Sequence, residues 1–201
     1  MICCAFKSFI AYFCKKFLSK MKQNTTLLLI VVGMILAAAI SRVAFYPITY
    51  SPMIAMAIFG GAVIKDKKWA FALPLLAMFL SDFLFEVSGI ATGFWGWGQL
   101  LGYGIFGIIT VLGFGIKKIN IPVVAGFSIL STIIFFLLSN SSVWLLSAGI
   151  TYPKTFAGWM SCLAAGIPFL KNDLVTNLLY TGVFFGGYVL LQKYAEKKAV
   201  A

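Results

Sequence analysis

An all-α integral membrane protein is the fold class this sequence predicts, with six transmembrane helices and a re-entrant or interfacial segment between helices 5 and 6. Three observations predict it. The 201 residues are 62% hydrophobic and 10% charged with mean hydropathy +1.01, too oily for a soluble domain of this length. The apolar residues gather in successive runs separated by short polar turns. In a six-span layout, thirteen of the 16 basic residues fall on one side and three on the other, the bias that orients spans with lysine toward the cytoplasm.

Residues 1–23 form the first element, a basic arm. It mixes Phe6, Phe9, Ile10, Phe13, Phe17 and Leu18 with Lys7, Lys15, Lys16, Lys20 and Lys22, the composition of an amphipathic helix lying on an anionic leaflet. A signal peptide competes, although no small-residue cleavage site follows cleanly. Met21 before Lys22-Gln23-Asn24 leaves a third reading, an over-extended start.

Residues 24–192 form the six-helix domain. Its first span runs from Leu27 to about Ser41 and sets Gly33, Ala37 and Ser41 four apart on one face, where small side chains let a second helix approach closely. That face serves either packing within the chain or docking of a partner subunit. A second span covers about Ser51 to Ile64, with Pro52 tolerable in its first turn. The third, Trp69 to Phe85, has an interfacial Trp69 and a kinking Pro74. Val87 to Gly98 is rich in glycine and carries Trp95 and Trp97, which suits a loop or re-entrant turn at the interface.

Gln99 to Ile116 is the fourth span, and Pro122 opens a fifth that ends near Leu138. Thr155 to Leu170 is apolar enough to suggest a seventh crossing. That crossing would move Lys193, Lys197 and Lys198 outside and break the charge bias, so the stretch reads as re-entrant or interfacial. The sixth span is Leu174 to Leu191, and residues 193–201 are a basic cytoplasmic tail.

Several chemistries are excluded or weak. The chain has no histidine, and Cys3, Cys4, Cys14 and Cys162 make no CxxC pair, so neither a metal site nor a histidine-activated nucleophile is expected. No cofactor and no catalytic residue is assigned, and the chain does not read as an enzyme. The net charge of +11 is explained by topology and lipid headgroups rather than by nucleic acid. Gly102-Tyr103-Gly104-Ile105-Phe106-Gly107 spells a dinucleotide fingerprint, but inside a membrane helix it lacks the strand that the motif requires. Close helix packing accounts for it, and likewise for Gly182 and Gly186.

The polar residues that remain converge on one end. Asp82 and Glu86, two of five acids, stand one helical turn apart at the outer end of the third span, and Arg42 ends the first. An internal ion pair is the plain interpretation, since an uncompensated charge in the bilayer costs roughly 2.5 to 3.5 kcal/mol. Ligand recognition is the functional one. The layout also sends Trp95, Trp97, Gln99, Asn140, Trp144, Tyr152, Trp159, Asn172 and Asp173 toward the same surface. The candidate binding set is Arg42, Asp82, Glu86, Trp97, Asn140, Trp144, Tyr152 and Asn172. Aromatic walls with a few directed polar groups suit a planar heteroaromatic or amphipathic small molecule.

Two stretches carry a resemblance. One runs from Tyr50 through Gly60-Gly61-Ala62 and Pro74 to Ser81-Asp82. The other holds Ser139-Asn140, Val143-Trp144 and Tyr152-Pro153, then Gly158, Ala165, Ile167-Pro168-Phe169, Asn172 and Leu178-Leu179-Tyr180. Together they resemble an uncharacterised family of bacterial six-span membrane proteins, similar in size and layout to the substrate-capture components of energy-coupling-factor vitamin transporters. The resemblance implies a bacterial cytoplasmic membrane location with both termini inside and an outward pocket for a vitamin or cofactor precursor. It also implies a transmembrane coupling subunit docked on Gly33, Ala37 and Ser41. Separate ATPases would drive such a system, because no Walker motif is present here. The rival expectation is a structural or assembly factor of a larger membrane complex.

Overall fold

The structure is a computed structural model that describes residues 29, 32–44, 51–94 and 96–200, with side chains to residue 194. The basic arm, Tyr50, Trp95 and the side chains of most of the basic tail lie outside the described residues. Within them are six helices and no strand: α1 (Val32–Ala44), α2 (Met53–Val63), α3 (Lys67–Ser88), α4 (Trp97–Gly113), α5 (Ile121–Leu146) and α6 (Phe156–Val200). Three of them, α3, α5 and α6, are long and apolar enough to cross a membrane.

Local chemistry sets the helix ends. Asp66 caps α3 by accepting from the Lys68 N–H at 2.9 Å, and Asn120 caps α5 by accepting from the Val123 N–H at 3.1 Å. Pro122 sits in the first turn of α5, where no N–H is missed. Gly89 ends α3 with a left-handed φ of 66°, which a side chain would resist.

The centre of the bundle is α2. Residues 53–61 are all buried, and the helix touches α3, α4, α5 and α6. At 11 residues it is about 16 Å long, half of the hydrocarbon thickness. The span expected from Ser51 to Ile64 is therefore a short helix wrapped in protein. Two glycines make that wrapping tight. A Cβ on Gly61 would lie 3.1 Å from Gly113 Cα on α4, and one on Gly60 would lie 2.8 Å from the Pro74 ring on α3. Phe59 fills the side toward α6, with Phe184 and Phe185 ring centroids at 5.4 and 5.2 Å.

Two expectations change. Thr155 to Leu170 is no separate re-entrant or interfacial segment; from Phe156 it forms the first third of α6, which runs on for 45 residues through Pro168. Proline removes one ladder bond without ending the helix, because α5 packs alongside: Trp159 Nε1 donates to Ser141 Oγ, and Gly166 abuts the Asn140 side chain. Close packing also fails as the reason for five glycines. A Cβ on Gly102, Gly104, Gly182 or Gly186 would meet nothing within 4 Å, and on Gly107 only Phe71 at 3.9 Å. The tight α2–α4 crossing uses Gly61 and Gly113 instead. Gly33 and Ala37 are exposed on α1, while Ser41 is partly buried and donates to the Ala38 carbonyl oxygen at 2.8 Å.

Candidate functional site

At the end of the bundle where α1 and α3 finish and α4 begins, five side chains form one polar network. Arg42 leaves the last turn of α1 and donates from Nη1 to Ser81 Oγ at 2.6 Å and to Asp82 Oδ1, with which it forms an ion pair. Phe85, one turn on from Ser81 in α3, lies under the guanidinium, 5.1 Å from ring centroid to Cζ. The other carboxylate oxygen, Asp82 Oδ2, accepts from Gln99 Nε2 at 2.9 Å and from the Tyr103 hydroxyl at 2.7 Å. Gln99 and Tyr103 are four apart on α4, the same helical spacing that places Ser81 over Phe85. Asp82 is 3% exposed, so its charge is compensated by direct contacts rather than by water.

The stretch at 89–94 is fastened over this network. Gly93 packs on the α3 backbone too closely to admit a Cβ. Its N–H donates to Glu86 Oε2 at 2.9 Å, the Phe94 N–H donates to the same oxygen at 3.3 Å, and the Gly93 carbonyl accepts from Gln99 Nε2 at 3.0 Å. Glu86 thus holds the loop, one turn above the acid that holds Arg42.

Beside the network is a cavity of about 280 Å³, at the small end of ordinary ligand sites. Arg42, Asp82, Gln99 and Tyr103 form its polar side. Met53, Met78, Ile105, Phe106 and Phe135 form an apolar wall, and Ser51, Ser139, Ser142, Val143 and Leu146 complete the lining with Gly98 and Gly102. Arg42 and Asp82 are the charged residues of this lining.

Of the eight residues selected from sequence, the structure brings Arg42 and Asp82 to the cavity and leaves six outside its lining. Glu86 is occupied with the loop. Trp97 is 78% exposed. Asn140 donates to the Phe136 carbonyl at 2.8 Å and sits against Gly166, joining α5 to α6. Trp144 donates to the Pro153 carbonyl at 2.9 Å and lies under Lys154 Nζ, which itself caps α5 at the Trp144 and Leu145 carbonyls. Tyr152 and Asn172 lie on the α5–α6 turn and on exposed α6 surface. Conversely, Tyr103 is a site residue that the sequence hides within a false dinucleotide motif, and Gln99 is a surface expectation that turns out buried. Their four-residue spacing at the start of an outer helix was the available signal.

The described residues hold no group of three or more metal-ligating side chains of the His, Cys, Asp or Glu type. Neither the curated proteins nor the solved structures include a match to this chain. The family of unknown function DUF6580 matches residues 22–199, most of the sequence, and the chain belongs to that family.

Proposed function

We propose that this protein is a membrane-embedded small-molecule binding subunit for uptake, comparable in layout to the substrate-capture components of vitamin transporters. The single observation that carries the reading is the cavity, whose buried ion pair opens onto an apolar wall. In this reading all six helices belong to one bacterial cytoplasmic-membrane domain with both termini inside. Exposed Lys65, Lys67, Lys68, Lys117, Lys118 and Lys193 then face the anionic inner leaflet, and the cavity opens outward. Exposed Gly33 and Ala37 offer a coupling subunit a surface of close approach.

Gly102 supplies the test. It lies in the middle of the cavity-facing arc of α4, and a Cβ added there meets no neighbour within 4 Å. Gly102→Leu therefore puts a branched side chain into the cavity lining from an open position. Mass spectrometry of small molecules retained by the detergent-purified protein is expected to find a species in the natural chain and to lose it in the variant, with the melting temperature held. A natural chain that retains nothing, in a strain whose uptake is unchanged by deletion, overturns the proposal.

A structural or assembly role is the second reading, favoured by one observation: Asp82 and Glu86 are satisfied within the chain, Asp82 by Arg42, Gln99 and Tyr103, and Glu86 by loop amides. It expects Gly102→Leu to be silent in every ligand assay.

A further inference from the structure

The polar side of the cavity can be read donor by donor. A carboxylate has two oxygens, and both of those on Asp82 are taken: Oδ1 by Arg42, Oδ2 by Gln99 and Tyr103. The Tyr103 proton is spent on Asp82, and the amide protons of Gln99 are spent on Asp82 and the Gly93 carbonyl. With Oδ2 accepting twice, Oδ1 paired to Arg42 and the side chain only 4% exposed, the acid is covered by its own partners from a cationic guest. Arg42 is different. Of its guanidinium nitrogens only Nη1 donates among the described residues, to Ser81 and Asp82, leaving Nε and Nη2 unspent. Its side chain is 25% exposed while that of Asp82 is 4% exposed, so the base stands in front and the acid behind. The Nε–Nη2 edge is the fork that matches a carboxylate with two parallel hydrogen bonds. The cavity that Arg42 lines is also lined by Phe106, Phe135, Met53 and Met78, a wall for a flat apolar body.

We propose that the cavity takes a small aromatic or apolar carboxylic acid, its carboxylate held by the free edge of Arg42, with Asp82 as the positioning residue behind that guanidinium. The inference rests on the binding reading above and adds the ligand class. Discrimination follows from the same count of hydrogen bonds. An amide of the same shape offers one acceptor where the fork needs two and brings N–H groups against N–H groups. An amine brings a cation to Arg42 and finds Asp82 occupied.

The test uses the full chain in lipid nanodiscs and titrates three probes built on one ring: indole-3-propionate, indole-3-propionamide and tryptamine. The acid is expected to raise the melting temperature, with the amide at least about tenfold weaker and the amine without effect. Arg42→Lys keeps the charge but loses the fork. It is expected to weaken the acid about tenfold or more while bringing acid and amide to similar affinities. The wild-type series decides by itself should that variant fail to fold. Equal binding of acid and amide, or preference for the amine, overturns the ligand class. The two proposals also fail separately. A retained molecule without a carboxylate that is lost in Gly102→Leu removes the ligand class and keeps the binding role, whereas no retained molecule and no probe bound removes both.

Discussion

Two polar clusters are buried in this bundle, and they are built to opposite plans. The outer one joins Arg42, Ser81, Asp82, Gln99 and Tyr103 from three helices and borders a cavity. The inner one lies between α5 and α6. Asn177 Nδ2 donates to the Ser128 carbonyl at 2.9 Å and to Thr132 Oγ1 at 2.8 Å, while Ser128 and Thr181 share a bond at 3.1 Å. Its members are neutral and at most 2% exposed, and none lines the cavity. The inner cluster joins two long helices where apolar contact alone gives little preference over lipid. The outer cluster carries full charges beside the cavity, and charges removed from water cost stability unless their partners compensate them. Buried polarity therefore joins helices in one place and, under the proposed reading, marks a binding site in the other, and adjoining volume distinguishes them.

The largest expected effect comes from breaking the outer cluster from its acidic side. Asp82→Ala leaves Arg42 without its counter-ion and frees Gln99 and Tyr103, at a cost of about 3–5 kcal/mol for one partner of a buried pair. Folded yield and the unfolding midpoint in detergent report it. A loss below about 1 kcal/mol would mean that water already carries the Arg42 charge. The inner cluster should yield less. Asn177→Ala removes neutral interhelical bonds worth about 0.6 to 2 kcal/mol in a bilayer. Retention of any small molecule is expected to stay at the level of the natural chain. If this variant also empties the cavity, the division into joint and site is wrong.

Much of this division was legible in the sequence, for a reason of scarcity. With five acids in 201 residues, each one inside an apolar run demands a partner, and Arg42 was the cation at the right depth for Asp82. Gln99 and Tyr103 were harder to find because neutral polar groups are common near helix ends, where an aromatic belt gives the same pattern. Trp97 and Trp144 lie outside the cavity lining: one is exposed and the other anchors a turn, as belt residues do. The half-length of α2 was invisible, since an apolar run that faces protein on every side reads like one that faces lipid. The continuity of α6 was hidden by the lysine bias, which spoke against a further crossing over Thr155 to Leu170. In the structure one helix runs through Pro168 while packed on α5 and α2.

The smallest expected effect sharpens the comparison most, because it tests whether every buried hydroxyl between the helices belongs to the joint. Thr176 neighbours Asn177 in the chain and is 2% exposed, yet its Oγ1 is the buried side-chain polar atom without a hydrogen-bond partner among the described residues. An unmet hydroxyl in an apolar setting gains nothing from its oxygen, whereas a methyl in the same volume restores dispersion contacts. Thr176→Val, nearly the same shape, is accordingly expected to leave the unfolding midpoint unchanged or raise it by an amount corresponding to less than about 1 kcal/mol. Thr132→Val, which removes an acceptor of Asn177, should lower it. A Thr176→Val variant that loses stability as Thr132→Val does would reveal a bond from Thr176, and the inner joint would then extend one residue further around α6.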